Sequence, residues 1–176
     1  MVTATPNGTY AAGNTYVPIY TNTLVSAQAS VTFSSIPSTY TDLVLVANVQ
    51  AATGANIAIQ FNGDTASNYS STILTGNGTA ASSLRYSSKT YIITDNYGYP
   101  TTSNFNVNIT HIQNYSNATT YKTTLTRANS AASGLDASVG LWRSTAAITS
   151  IVVQLVTPTA NINTGSTFSL YGIKAA

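Results

Sequence analysis

Cysteine is absent from the 176 residues, glutamate is absent too, and histidine occurs once, at His111. Without thiols there is neither a disulfide framework nor a thiolate metal site, and one imidazole cannot make a histidine cluster. The expectation is a chain with no metal and no cofactor. Charge is equally scarce: 6% of residues are charged, against about 25% in ordinary soluble domains. The six cations, Arg85, Lys89, Lys122, Arg127, Arg143 and Lys174, are scattered and never adjacent. A phosphate backbone is held by clustered positive charge, so nucleic acid is not an expected partner.

No stretch approaches the roughly 20 apolar residues that cross a bilayer as a helix, and "MVTATPNGTY" has neither the basic nor the apolar segment of a signal peptide. Synthesis in the cytoplasm without export by that route, and no membrane partner, is the corresponding expectation.

What the sequence does contain is Val, Ile, Thr and Tyr, in runs that alternate with period two or stay apolar for a few residues, broken by Gly, Asn, Pro and Ser. That pattern predicts an all-β domain. Residues 1–14 hold Pro6, Gly8 and Gly13 and almost no large apolar side chain, so they read as an extended N-terminal arm. Residues 15–176 form the expected β-sandwich domain. Strands are predicted over 15–20, 29–34, 42–50, 56–61, 69–75, 84–94, 104–115, 120–128, 135–143, 148–156 and 166–173. Pro18 marks the first of these as an edge strand. Leu43 to Val46 is apolar on both faces and predicts a central strand. In 104–111, Phe105, Val107 and Ile109 are expected to face the core, His111 to continue that inward phase, and Asn104, Asn106, Asn108 and Thr110 to face water. This many strands favours a single jelly-roll-like sandwich over a small immunoglobulin-type one.

Catalytic chemistry finds little support. Asp42, Asp64, Asp95 and Asp136 are far apart in sequence, each beside a turn or strand end where a carboxylate serves backbone hydrogen bonds. Calcium would want several closely spaced oxygen ligands, and no G-x-S-x-G elbow accompanies His111. No catalytic residue is expected. In "FNGDTASNYS", Asn62, Gly63 and Asp64 predict a tight structural turn, with Gly63 at positive φ and the Asp or Asn side chain capping an amide. Asn-x-Ser/Thr occurs about as often as composition alone gives, and so carries no information about glycosylation. Tyrosine stands out with 12 copies. Tyr97, Tyr99 and Tyr115 are a candidate aromatic platform for a sugar; the competing reading is that these rings fill half-buried sheet or subunit-interface positions.

Four blocks, "YVPIYTNTLVSAQASVTFSSIPSTYTDLVLVANVQ", "IQFNGDTASNYSSTILTGNGTAASS", "VGLWRSTAAITSIVV" and "GSTFSLYGIKAA", resemble in order a family of virion structural proteins of tailed bacteriophages, common in aquatic and cyanobacterial phages. Members of that family are stand-alone head or decoration proteins or domains of tail-fibre-like proteins. The resemblance spans residues 15 to 174 and implies no catalytic residue. It implies a non-enzymatic capsid decoration, or cement, protein on the outside of the head, a homo-oligomer whose partners are the major capsid protein or other virion proteins. A tail or fibre-tip module that recognises a host glycan is the alternative. The resemblance also implies recurrent turn and edge packing in the second and third blocks, with Trp142 and Arg143 anchoring an intersubunit or intersheet contact. The arm at 1–14 would lie across neighbouring capsid subunits.

Overall fold

The computed structural model describes residues 15–174; the expected arm at 1–14 lies outside them. Among the described residues there is no helix, and the chain forms twelve strands. They are β1 (Tyr16–Thr23), β2 (Ser30–Phe33), β3 (Asp42–Val49), β4 (Ile57–Phe61), β5 (Tyr69–Gly76) and β6 (Ala81–Lys89), followed by β7 (Ile92–Ile93), β8 (Asn106–Gln113), β9 (Lys122–Ser130), β10 (Gly134–Trp142), β11 (Ile151–Leu155) and β12 (Thr167–Ile173). All pairings are antiparallel. One sheet has eight strands in the order β1-β12-β3-β8-β9-β10-β5-β6, and the other has four in the order β2-β11-β4-β7.

The order has a simple logic. β1 pairs with β12, β2 with β11, β3 with β8 and β4 with β7, as in one long hairpin folded over on itself. Winding it brings β12 beside β3 and β11 beside β4, which divides the ladder between two sheets. The remaining strands, β5, β6, β9 and β10, all add beyond β8 and lengthen the larger sheet on one side only. Between the sheets lies a core of Leu43, Leu45, Phe168, Leu170 and Ile112 against Val31, Phe33, Ile57, Ile59, Ile151 and Val153. Burial of such side chains contributes about 1.5–3 kcal/mol each.

Strand identity follows the sequence closely in most places. Pro18 does lie on an edge strand, with a register shift between Pro18 and Tyr20 that suits a residue unable to donate to the ladder. β3 is central, with Leu43, Val44 and Leu45 all buried. The predicted strand 84–94 divides into β6 and β7, which belong to different sheets.

The facing of β8 is a correction. Asn106, Asn108 and Thr110 are buried, whereas Val107, Ile109 and His111 sit half-exposed on the outer face and Phe105 is exposed. β9 and β10 follow the same inversion: Thr124, Thr126, Asp136 and Ser138 point inward, and Leu125, Leu135 and Val139 outward. The cause is what covers this wing. No complete strand lies over it, only β7 and the irregular chain after it, and irregular backbone leaves N–H and C=O groups that need side-chain partners when buried.

Candidate functional site

The inward polar side chains of the wing satisfy that covering segment almost group by group. Ser71 Oγ accepts from the Ile93 amide at 3.0 Å, and Ser138 Oγ donates to the Ile93 carbonyl at 3.2 Å. Asn108 Nδ2 donates to Thr94 Oγ1 at 2.8 Å. Asp136 accepts from the amides of Asn96 and Gly98, each at 2.7 Å, and from the Thr75 hydroxyl. Asn106 donates to the Gly98 carbonyl and to Asp95 Oδ2, while Asp95 Oδ1 accepts from the Ile57 amide at 3.0 Å. Gly140 lets the segment come close, since a Cβ there would strike the side chains of Thr124 and Ile92.

Asp95 and Asp136 are the nearest thing to a carboxylate pair. Burial drives the Asp95 carboxyl up to about 8 against the hydrogen bonds from Ile57 and Asn56, and the Asp136 charge pushes the same way. Both side chains are sealed from solvent. A shifted pKa in a cleft would point to acid–base chemistry, but this pair is enclosed and its oxygens are occupied by structural donors. Among the described residues no three His, Asp or Glu converge as metal ligands.

The stretch "FNGDTASNYS" forms a tight turn. Asn62 and Gly63 have φ of 53° and 65°, and the Asp64 amide donates to the Phe61 carbonyl at 2.9 Å, the geometry of a type I′ turn. Asn62 Nδ2 donates to the Ala147 carbonyl and its Oδ1 accepts from the amides of Thr149 and Ser150, tying the turn to the approach to β11. Asp64 accepts from the Ala66 amide, from Asn68 Nδ2 and from the Trp142 indole N–H, the last at 2.7 Å. Desolvation pushes its carboxyl up, but those three hydrogen bonds together hold it below the ordinary range.

Trp142, expected at an intersubunit or intersheet contact, is buried between the sheets: it stacks on Tyr69 with centroids 6.1 Å apart and tilts against Phe61 of β4 at 5.6 Å. It ties the eight-stranded sheet to the turn that leaves the smaller one. Arg143 is half-buried and donates to Ser70 Oγ and the Tyr69 carbonyl, so its guanidinium is engaged within its own chain.

The three tyrosines do not form a platform. Tyr115 is fully buried, its hydroxyl donating to the Pro37 carbonyl and accepting from the Tyr40 amide. Tyr97 is exposed and Tyr99 half-buried with its ring against Gly54. They flank Gly98, which meets the start of β8 through Asn106, whereas Tyr115 lies beyond the other end of that strand, roughly 25 Å away.

What remains open is the outer face of the wing. Leu74, Leu125, Leu135 and Val139 are 57%, 49%, 61% and 54% exposed. The register joins them into one surface: Leu125 pairs with Val139, Leu74 with Ala137, and Ile109 with Arg127, which pairs in turn with Ala137. His111, Leu125, Arg127 and Ala137 border a shallow depression of about 250 Å³. Single exposed apolar residues are ordinary, but a contiguous apolar patch on a sheet marks a surface that something covers. Sequence reading missed it because the strand at 104–111 was assigned its more apolar phase as inward and its two successors were given no facing. The signal was the recurrence of one polar phase in three strands running: Asn106-Asn108-Thr110, Thr124-Thr126 and Asp136-Ser138.

Neither the models of known protein families nor the curated protein sequences give a match to this chain.

Proposed function

We propose that this chain is a non-enzymatic virion structural protein of a tailed bacteriophage, and within that class a decoration protein that binds the outside of the head and bridges major capsid subunits. The winding of β1–β4, β7, β8, β11 and β12 supports a jelly roll, because eight strands paired first to last, second to seventh, third to sixth and fourth to fifth are what that fold requires. Jelly rolls serve repeatedly in capsids and in lectins, so the fold narrows the field without choosing within it.

The observation that carries the choice is the exposed apolar face of the wing, set on a body whose two buried carboxylates, Asp95 and Asp136, are committed to holding its own backbone. A protein that works by covering an assembled surface needs such a face and no cavity. Many modest contacts repeated over a lattice then favour the closed shell by mass action. The glycan-binding alternative loses its main support with the separation of Tyr115 from Tyr97 and Tyr99.

The test is reconstitution. Purified full-length chain is added to phage shells assembled without it, and bound protein and shell survival on heating are measured. Saturable binding that raises heat resistance is expected. Failure of the chain to bind such shells, together with its absence from the heads of intact particles, overturns the proposal.

A further inference from the structure

The apolar wing face carries charge of one sign only. Arg127 lies at its centre, between Ile109 on β8 and Ala137 on β10, and Arg85 lies at its margin, opposite Thr72 on β5. Both are exposed. His111 pairs with Leu125 on the same face. The chain has four carboxylate side chains in all, and each is used within the fold. Asp95 and Asp136 are sealed beneath the covering segment, Asp64 holds Trp142, and Asp42, at the end of β3, accepts from the Asn114 amide at 2.6 Å. A second copy of this chain has no carboxylate side chain on this face to set against Arg127, and a face-to-face dimer would bring like charges together in an apolar contact, where desolvation makes that costly.

We infer that the outward face of β8, β9, β10 and β5 docks onto a different protein chain, at an apolar surface fringed by carboxylates. The inference rests on the virion reading for its probe and deepens it by fixing which face is applied and what chemistry receives it. The four neighbouring strands β8, β9, β10 and β5 offer on the order of 500 Å² per partner, in the small, weak class of specific contacts. One such contact is modest in affinity and is made effective by repetition. Leu125 and Val139 supply the desolvated centre, and Arg127 supplies orientation and a carboxylate contact.

The experiment uses full-length protein and shells assembled without it, with binding measured at low and high salt. Wild type is expected to bind and to weaken as salt rises. The double variant Leu125→Asp, Val139→Asp is expected to lose about 100-fold or more, and Arg127→Glu about tenfold. Arg127→Ala is expected to show a flatter salt dependence. Val25→Asp, at an exposed apolar residue away from this face, should bind as wild type; thermal unfolding should show every variant folded at the assay temperature, the double variant being the least stable because its two Asp side chains face each other across β9 and β10. Wild-type binding that survives the double variant overturns the inference and leaves the virion reading intact. No wild-type binding overturns the inference, and joined by absence of the chain from the heads of intact particles it overturns the virion reading too. Sedimentation showing that free wild type dimerises and that the double variant does not would assign the face to a second copy, and would overturn the inference as well.

Discussion

The indole N–H of Trp142 donates to the carboxylate of Asp64 at 2.7 Å, joining the last residue of β10 to the turn that follows β4. Two residues that sequence reading assigned separately, one to a turn and one to an intersubunit or intersheet contact, are a single cross-link. Removing the acceptor orphans a buried N–H, which costs about 1–3 kcal/mol. Asp64→Ala should therefore lower the unfolding temperature by several degrees, about 2–4 °C per kcal/mol for a chain of this length. Asp64→Asn, which keeps an acceptor, should cost less. Tryptophan fluorescence during thermal unfolding reads both, Trp142 being the single tryptophan.

The two shifted carboxylates oppose one another in pH. Asp95 is raised, to about 8, so its contribution to stability is complete below the unfolded carboxylate pKa, about 4, and is lost as pH rises through 8. Asp64 is lowered, so its contribution is present above about pH 4 and is lost on acidification. Stability should peak on the mildly acidic side. Urea unfolding at pH 5 and at pH 8.5 should give the higher value at pH 5, and Asp95→Asn, still able to accept from Ile57 and facing the same Asn56, Asn106 and Asp136, should remove most of the difference. An unchanged pH slope in that variant would falsify the assignment.

The inverted faces of the wing give a paired test that runs against ordinary hydrophobic substitution. Asn108→Val places an apolar side chain in a buried site but removes one of the two hydrogen-bond partners of each of Thr94 and Thr110, which keep the Ile57 carbonyl and Thr126, and should cost about 1 kcal/mol. Val139→Thr, on the outer face, should stay within about 0.5 kcal/mol. Chemical denaturation of the two variants separates them; the reverse order would mean that the sheet faces the other way.

Gly140→Ala should cost about 1–3 kcal/mol through overpacking, because its Cβ would meet Thr124 and Ile92 where β7 lies on the sheet. Loss of protection from hydrogen exchange confined to 92–98 would locate the damage.

Sequence alone determined the all-β class, the positions of most strands, the edge role of Pro18, the central place of Leu43 to Leu45 and the turn at Asn62–Gly63. Each depends on local chemistry: period-two alternation, a missing N–H, or a φ that glycine and asparagine tolerate. Tertiary structure alone decided which phase of β8, β9 and β10 points inward, because a strand's alternation defines two faces without saying what will cover either. It also decided that Trp142 and Tyr115 are buried and that Asp95 meets Asp136. Those outcomes depend on strands 40 or more residues apart being brought side by side, and on an irregular segment whose backbone drew the polar phase of the wing inward and left the apolar phase outside.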